Sequence, residues 1–203
     1  MIKFTVAMIS MVAASGLAFA GDPKAGAPAP KADAKDAKAP AADAKKMEMP
    51  KAPQELADMV KGMQGTWKCT GKALGEDMKT MTDMTGTAKI AGLEMNGFWA
   101  HMTYDAKMGK MPFHFEEYTT YDPSAKQWRR VMMEVGGGMN MGTSSGAKDG
   151  KIDWDLTTKN MMGEGMFRDH EDISNPKEFK SWGEMSMDKG KTWTKVYEQS
   201  CKK

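Results

Sequence analysis

Residues 98–105, Phe-Trp-Ala-His-Met-Thr-Tyr-Asp, and residues 152–157, Ile-Asp-Trp-Asp-Leu-Thr, carry the pattern that decides the fold. In the second segment the even-numbered residues are apolar and the odd-numbered residues are polar. The first segment keeps an apolar residue at each even-numbered position. Successive side chains of a strand point to opposite faces of a sheet. Both segments therefore predict strands with one wet and one dry face.

The same alternation continues from Thr66 almost to the end of the chain, interrupted by short clusters of Gly, Asp, Lys and Pro. The clusters at 122–126, 148–150 and 188–191 predict hairpin turns, because Asp and Gly tolerate the positive φ of such turns. Strands are predicted at 66–73, 79–90, 93–95, 98–106, 113–121, 127–134, 139–145, 151–157, 164–172, 178–187 and 192–200.

Consecutive hairpins form a meander, and its closure determines the fold class. A meander of eight to ten strands closes most economically into an up-and-down antiparallel barrel, because closure removes the two exposed edges. We therefore predict an all-β, up-and-down antiparallel barrel of eight to ten strands, with a two-sheet sandwich as the alternative. One short helix precedes the first strand, beginning after Pro53 and ended by Gly62 and Gly65. Its apolar face consists of Leu56, Met59, Val60 and Met63.

The chain divides into three parts. Residues 1–20 combine one positive charge, an apolar run and a closing Ala-Phe-Ala, which predicts a signal peptide cleaved before Gly21. Residues 21–50 are predicted to be a disordered linker, because residues 21–46 use only Ala, Lys, Pro, Asp and Gly and cannot build a core. Residues 51–203 remain for the barrel. We expect a periplasmic or secreted mature protein without a membrane span.

The barrel domain is electrically balanced, with 22 Lys and Arg against 22 Asp and Glu in residues 51–203. Nucleic-acid-binding domains carry a basic surface. Here only residues 128–130, Trp-Arg-Arg, place basic side chains beside an aromatic one. We therefore exclude nucleic acid as a partner, and the sequence does not specify an oligomeric state.

The two cysteines lie at the ends of the predicted barrel. Cys69 is on the first strand and Cys201 is at the end of the last, and these strands pair in a closed barrel. Two cysteines in an exported chain without a Cys-x-x-Cys motif favour a disulfide over a redox or metal site. We predict a Cys69–Cys201 disulfide, with two free thiols as the alternative.

Several motifs resemble a known family. Gly65-Thr66-Trp67 is similar to the Gly-x-Trp signature of lipocalins and their calycin relatives. The order of further motifs resembles a family of exported bacterial proteins known only as a domain of unknown function with a lipocalin-like barrel. These motifs are Gly-Lys-Met-Pro-Phe at 109–113, Tyr-Asp at 121–122, Lys-Gln-Trp at 126–128, Gly146, Asp-Gly-Lys at 149–151 and Asp-Lys-Gly-Lys-Thr-Trp-Thr at 188–194.

The resemblance spans about residues 55–200 and implies a barrel without a known activity. In lipocalins a basic residue of the closing strand packs across the signature Trp. The resemblance therefore implies that Lys195 or Lys202 packs across Trp67.

Methionine is unusually frequent, with 23 residues in the chain. Met-x-Met occurs at 47–49, 139–141 and 185–187, and on a strand the two residues of such a pair share a face. Thioethers select Cu(I) or Ag(I) among biological metals. Adaptable packing or pocket lining and sacrificial surface oxidation are the alternatives. The candidate soft-metal ligands are Met139, Met141, Met185 and Met187.

Histidines and carboxylates give weaker patterns. His101 and His114 lie on adjacent predicted strands and could approach each other or a haem iron, but surface positions are the favoured interpretation for both and for His170. We interpret residues 168–172, Arg-Asp-His-Glu-Asp, as a solvated strand end, and Glu116 and Glu117 as lying on opposite faces. No catalytic motif is present, so we expect a protein that is not an enzyme and needs no cofactor, with copper or haem as alternatives.

These patterns together indicate a binding protein. We expect a small apolar or amphipathic ligand in the barrel interior, with soft-metal binding or sequestration as the alternative function. The candidate ligand-binding residues are Trp67, Phe98, Met102, Tyr104, Phe113, Phe115 and Trp154.

Deletion of residues 21–46 tests the assignment of the linker. We expect the unfolding temperature to stay within about a degree of the full mature chain, because a segment without apolar side chains has no packing contacts to lose. Thermal unfolding followed by circular dichroism measures this. A drop of many degrees would show that the segment packs against the barrel.

Overall fold

The computed structural model describes residues 50–75, 77–160 and 163–203. The predicted signal peptide and all of the predicted linker except Pro50 lie outside the described residues. One α-helix, α1, spans Gln54–Met63. The strands are β1 Gly65–Leu74, β2 Met81–Glu94, β3 Trp99–Met108, β4 Met111–Asp122, β5 Gln127–Glu134, β6 Met139–Ser144, β7 Lys151–Asn160, β8 Gly163–Asn175, β9 Glu178–Ser186 and β10 Thr194–Lys202.

The ten strands form one closed barrel. Each strand is antiparallel to the next in sequence, and β1 also pairs with β10. Every strand therefore has two hydrogen-bonded neighbours, and the sheet has no edge. The predicted up-and-down barrel is confirmed, and the alternative of a sandwich is wrong. In the described part of the chain, no helix has the length and apolar character needed to cross a membrane.

Helix α1 covers one end of the barrel. Its apolar face buries Leu56 and Val60 against Ala100 of β3. The indole of Trp67 donates a hydrogen bond to the carbonyl of Met63, with 2.8 Å between nitrogen and oxygen. Gly65 has a φ of 127°, a value that glycine adopts without strain, and the chain turns there from the helix into β1.

The predicted separate strand at 93–95 is wrong. Residues 93 and 94 continue β2, because the register with β3 shifts by one residue between Ile90 and Gly92. Gly92 has a φ of 130° in this bulge. A β-bulge accommodates an extra residue without ending the ladder, so Ala-Gly at 91–92 does not interrupt the strand. The chain leaves β2 through a 3-10 turn at Met95–Gly97.

Trp67 anchors the core near the α1 end. Its ring packs edge-on against Phe179 with 5.1 Å between the ring centroids. The ammonium of Lys203 lies over the Trp67 ring, 4.6 Å from its centroid. The basic residue across Trp67 is therefore Lys203, and the implied choice of Lys195 or Lys202 is wrong. Lys203 follows the end of β10, whereas the ammonium of Lys202 lies 3.6 Å from Glu178 Oε1.

The disulfide joins the first and last strands. Cys69 and Cys201 are direct partners in the β1–β10 ladder, with 4.0 Å between their Cα atoms, and the sulfurs are bonded. Both residues are buried in the same apolar cluster as Trp67. The predicted disulfide is confirmed, and it joins two residues that are 132 positions apart in sequence.

Alkylation tests this bond directly. The unfolded, unreduced protein should take up no iodoacetamide, and the reduced protein should take up two groups, as measured by intact mass. The substitutions Cys69→Ala and Cys201→Ala together should lower the free energy of unfolding by about 2–5 kcal/mol, because the unfolded chain regains the freedom of a long loop. Uptake of two groups before reduction would contradict the bond.

Candidate ligand-binding site

The barrel encloses a cavity of about 330 Å³. This volume is at the lower end of the range for small-molecule pockets, roughly 300–1,000 Å³. Met59, Val60 and Met63 of α1 line one end, and Leu74 and Met78 line the other. Met78 is partly exposed, so the lining reaches the surface at the end opposite α1.

Most of the lining is apolar and adaptable. The β1–β4 side contributes a stacked pair, Tyr104 and Phe115, with 5.1 Å between ring centroids, and Phe113 packs beside Phe115. Methionine has three rotatable side-chain bonds and fills irregular spaces. The wall can therefore adapt to the shape of a ligand. The lining methionines of the strands are Met84, Met102, Met108, Met132 and Met185.

The structure brings five of the seven predicted ligand-binding residues to the cavity: Met102, Tyr104, Phe113, Phe115 and Trp154. Trp67 lies in the core beneath α1, outside the lining. Phe98 also lies outside it, because β3 begins at Trp99 and Phe98 has helical backbone angles at the end of the 3-10 turn. The alternation that relates residues 100, 102 and 104 does not extend to Phe98.

A buried arginine is the centre of a polar wall. Nε of Arg130 lies 3.1 Å from Glu117 Oε1. Its two terminal nitrogens donate hydrogen bonds to Asp169 Oδ2 at 2.7 Å and Glu171 Oε1 at 2.5 Å. The guanidinium also lies 3.9 Å from the ring centroid of Trp154. All five residues line the cavity, so strands β4, β5, β7 and β8 each supply part of one charged cluster.

Neighbouring hydrogen bonds hold the carboxylates of this wall. The hydroxyl of Tyr197 donates to Asp169, and the hydroxyl of Thr119 donates to Glu117 at 3.2 Å. A further lining carboxylate, Glu134, accepts a hydrogen bond from the Asn140 amide at 3.1 Å. The indole N–H of Trp154 is buried and has no hydrogen-bond partner within the described residues, so it is a donor that a ligand could use.

Burial changes the protonation of the cluster. Removal from water raises the pKa of Glu117 to about 7, although Arg130 opposes the shift. The same cause raises the pKa of Asp169 to about 6. Burial also raises the pKa of Glu134. For Arg130, burial opposes the charge, but the carboxylates outweigh it and raise its pKa. The cluster therefore keeps its guanidinium charged, while Glu117 and Asp169 have pKa values close to neutral pH.

The interpretation of residues 168–172 as a solvated strand end is wrong for two of the five residues. Asp169 is 4% exposed, and Glu171 is largely buried against Arg130. The two carboxyl groups occupy the inward positions of β8, in step with Phe167 and Ile173. Glu116 and Glu117 lie on opposite faces, as predicted, and Glu117 is the one directed into the barrel. Sequence reasoning missed Arg130, which shares the inward face of Met132.

The histidine rings face carboxylates of the outer wall, but the side chain of His101 is only 15% exposed. His101 Nδ1 lies 2.8 Å from Glu94 Oε1, and the His101 ring stacks on Tyr118. His114 Nδ1 lies 2.8 Å from Asp105 Oδ1. His170 Nδ1 likewise lies 2.6 Å from an Asp153 oxygen, and its ring stacks on Trp182. Of the three, only His101 borders the cavity within the described residues, and its ring nitrogens are directed to outer-wall carboxylates.

The structure separates the four candidate soft-metal ligands. Met139 and Met141 are exposed on the outer face of β6. Met185 of β9 lines the cavity, and Met187 is exposed just beyond that strand. Strands β7 and β8 lie between β6 and β9, so the two pairs do not form one site.

Comparison with known proteins shows the class to which this fold belongs. The crystal structure of Rv2717c from M. tuberculosis is similar, with a TM-score of 0.59 and 11% sequence identity. The alignment covers 76% of this chain and 99% of that chain. Identity this low shows a shared fold alone. No family model matches the chain, and no curated protein matches it. The molecule is a closed β-barrel protein with an internal cavity.

The pH dependence of stability tests the buried carboxyl cluster. Native Glu117 holds its proton up to about pH 7, whereas an unfolded Glu releases it near 4.3. Protonated Glu117 therefore stabilises the folded state, and this stabilisation is complete below about pH 4 and is lost as the pH rises through 7. The wild-type protein should therefore lose free energy of unfolding between pH 5 and pH 8. In Glu117→Gln this loss should be smaller, by an amount of the order of 3 kcal/mol.

Urea unfolding at both pH values measures this effect. Glu164→Gln is the matched control, because Glu164 is an exposed carboxylate of β8 paired with Lys159. The control should keep the wild-type pH dependence. An unchanged pH dependence in Glu117→Gln would contradict the raised pKa of Glu117.

Proposed function

We propose that this protein binds a small amphipathic molecule inside the barrel, with an apolar body and a cationic head group. The observation that carries the proposal is the cavity itself, in which an apolar wall faces a buried cluster of carboxylates around Arg130. Titratable groups with perturbed pKa values inside a cleft are characteristic of functional sites. A cavity of this kind has one region for each end of an amphipathic ligand.

The apolar wall supports binding of the ligand body. Burial of apolar surface is favourable by roughly 25 cal/mol per Å² removed from water, so a short alkyl chain or a single ring system supplies useful binding energy. The methionines of the wall can change rotamer to fit either shape. This argument favours a compact ligand rather than a long lipid, because the cavity volume is about 330 Å³.

The charge balance of the polar wall supports a cationic head. Four carboxyl groups, those of Glu117, Glu134, Asp169 and Glu171, line the cavity together with one guanidinium. The three nitrogens of Arg130 already face three of these carboxylates. An entering anion would therefore meet excess negative charge, whereas a cation would favour the ionised carboxylates. An ammonium group would also donate hydrogen bonds to their remaining lone pairs.

The end of the barrel opposite α1 is the proposed route of entry. A second hollow lies there and shares Leu74, Met78 and Met185 with the main cavity. At the other end, α1 packs its buried face onto the barrel. A ligand that enters from the end opposite α1 passes the methionine and aromatic wall before it reaches Arg130. The cationic head group therefore enters first, and the apolar body stays beside the apolar wall.

We also infer an exported, non-enzymatic binding protein related to the lipocalin-like family that its motifs resemble. The contact of Lys203 across Trp67 supports this relationship, since it provides the basic residue expected beside the signature Trp. A buried disulfide is compatible with an oxidising compartment outside the cytoplasm. The periplasm or the secreted fraction is therefore the proposed location.

Three probes with the same chain and different heads test the proposal. Isothermal titration calorimetry at pH 7.5 should show binding of octylamine, with octanol weaker and octanoate weaker than octylamine by at least about tenfold, or about 1.4 kcal/mol. Octylamine affinity should rise with pH between 6 and 8, because the cation competes with the protons on Glu117 and Asp169. Octanoate binding as tight as octylamine would exclude the cationic head.

Two variants separate the body and head regions of the site. Met102→Trp fills part of the cavity and should weaken binding of all three probes by at least about tenfold. Glu171→Gln removes one inward charge and should reduce only the preference for octylamine. Glu164→Gln, on the outer wall, should leave all three affinities unchanged. Circular dichroism confirms that each variant is folded, and binding that persists unchanged in Met102→Trp would place the ligand outside the cavity.

A further inference from the structure

Three exposed methionines meet on the outer wall of β5 and β6. Met133 and Met139 are direct partners in the β5–β6 ladder, and Met141 follows Met139 on the same face. The three residues are 43%, 36% and 46% exposed, respectively. Opposite residues of an antiparallel pair have Cβ atoms about 4.5–5.5 Å apart, and residues i and i+2 of a strand are about 6.6 Å apart. The three side chains therefore start from one small triangle.

Exposure distinguishes these three methionines from those that fill the barrel interior. Met84 and Met132 are buried in the barrel interior, where they fill space between strands. Packing does not account for three neighbouring thioethers on the solvent side, because a solvent-facing position has no cavity to fill. Met133, Met139 and Met141 form a group that we name the outer methionine triad.

The chemistry of the triad matches a soft monovalent cation. Thioether sulfur is a soft, uncharged ligand that selects Cu(I) over harder ions such as Mg²⁺ or Ca²⁺. Each methionine has three rotatable side-chain bonds, so three sulfurs from this triangle can turn toward one point. We propose that the outer methionine triad binds a single Cu(I) or Ag(I) ion by three thioether ligands.

The surroundings of the triad favour a cation. Glu116 of β4 is the direct partner of Met133 across the β4–β5 ladder, and its carboxylate on this outer face lies 3.4 Å from His101 Nε2 and 3.9 Å from His114 Nε2. Lys159 is the partner of Met139 on the other side, but its ammonium is paired with Glu164 at 2.9 Å. Both cysteines of the chain are bonded to each other, so the folded protein has no thiolate that would compete for a soft ion.

The triad is separate from the proposed ligand cavity. Its residues are on the outward positions of β5 and β6, whereas Met132 and Asn140, their sequence neighbours, line the interior. The soft-metal site predicted from sequence combined two Met-x-Met pairs on different strands. The structure replaces the second pair with Met133, which reaches Met139 and Met141 through strand pairing rather than through sequence spacing.

Silver titration of the full mature chain, with its disulfide intact, tests the proposal. Ag(I) is used because it needs no reductant, and the buffer is free of chloride and thiols. Native mass spectrometry should show one tightly held Ag(I) per chain. In protein labelled at the methionine methyl groups, the NMR signals of Met133, Met139 and Met141 should shift with one saturating equivalent, whereas those of Met84 and Met132 should not.

Volume-conserving substitutions locate the ligands. Met133→Leu, Met139→Leu and Met141→Leu should each weaken Ag(I) binding by at least about tenfold, because each removes one sulfur and little packing. Met95→Leu removes a methionine outside the triad that is 64% exposed in the 3-10 turn, and it should leave binding unchanged. The paired change Met47→Leu and Met49→Leu should also have no effect.

Several results would overturn the proposal. One is the absence of a bound ion at micromolar Ag(I). Others are retention of the tight ion in the triple Leu variant and methyl shifts confined to methionines outside the triad. Octylamine binding should be the same with and without Ag(I), so failure of the metal site and failure of the cavity proposal are read from different experiments.

Discussion

Pairing of β1 with β10 is the constraint on which the rest of the structure depends. Because this last ladder closes the sheet, each strand has a fixed inner and outer face. The inner face then builds the cavity, and the outer face carries the histidines and the methionine triad. A slip of one residue at the seam would exchange these faces in β10 and remove Tyr197 from Asp169. The buried disulfide holds the seam at the register Cys69 to Cys201.

The charged wall has an energetic cost that packing alone would avoid. Removing ions from water is expensive, and a buried ion pair is often no more stabilising than apolar residues of the same volume. Arg130 reduces the cost by contacting three carboxylates and the face of Trp154. The raised pKa of Glu117 reduces it further, because one carboxyl can be neutral. This energetic cost is one reason for the proposal that the cluster belongs to a binding site.

Sequence alternation predicted the barrel, the helix and the disulfide because each depends on local periodicity or on the two ends of the meander. It also identified five lining residues. The Arg130 cluster was missed because charged residues were assumed to face water. A signal was nevertheless present in the sequence. Asp169 and Glu171 alternate along β8 in step with Phe167 and Ile173, so all four side chains lie on the same face of the strand. The methionine triad was beyond prediction, because the pairing of Met133 with Met139 depends on the register of a hairpin, which sequence spacing does not specify.

The covalent closure of the barrel also links the first strand of the domain to the last. With β1 bonded to β10 by backbone hydrogen bonds and by the Cys69–Cys201 bridge, the domain is a ring of ten strands in which each strand pairs with two neighbours. The pairing of the strands then does not depend on which loop contains the chain termini. Surface loops of such a ring are the places where circular permutation is best tolerated. The cyclic order of the strands therefore defines the fold, and several circularly permuted chains could form the same barrel.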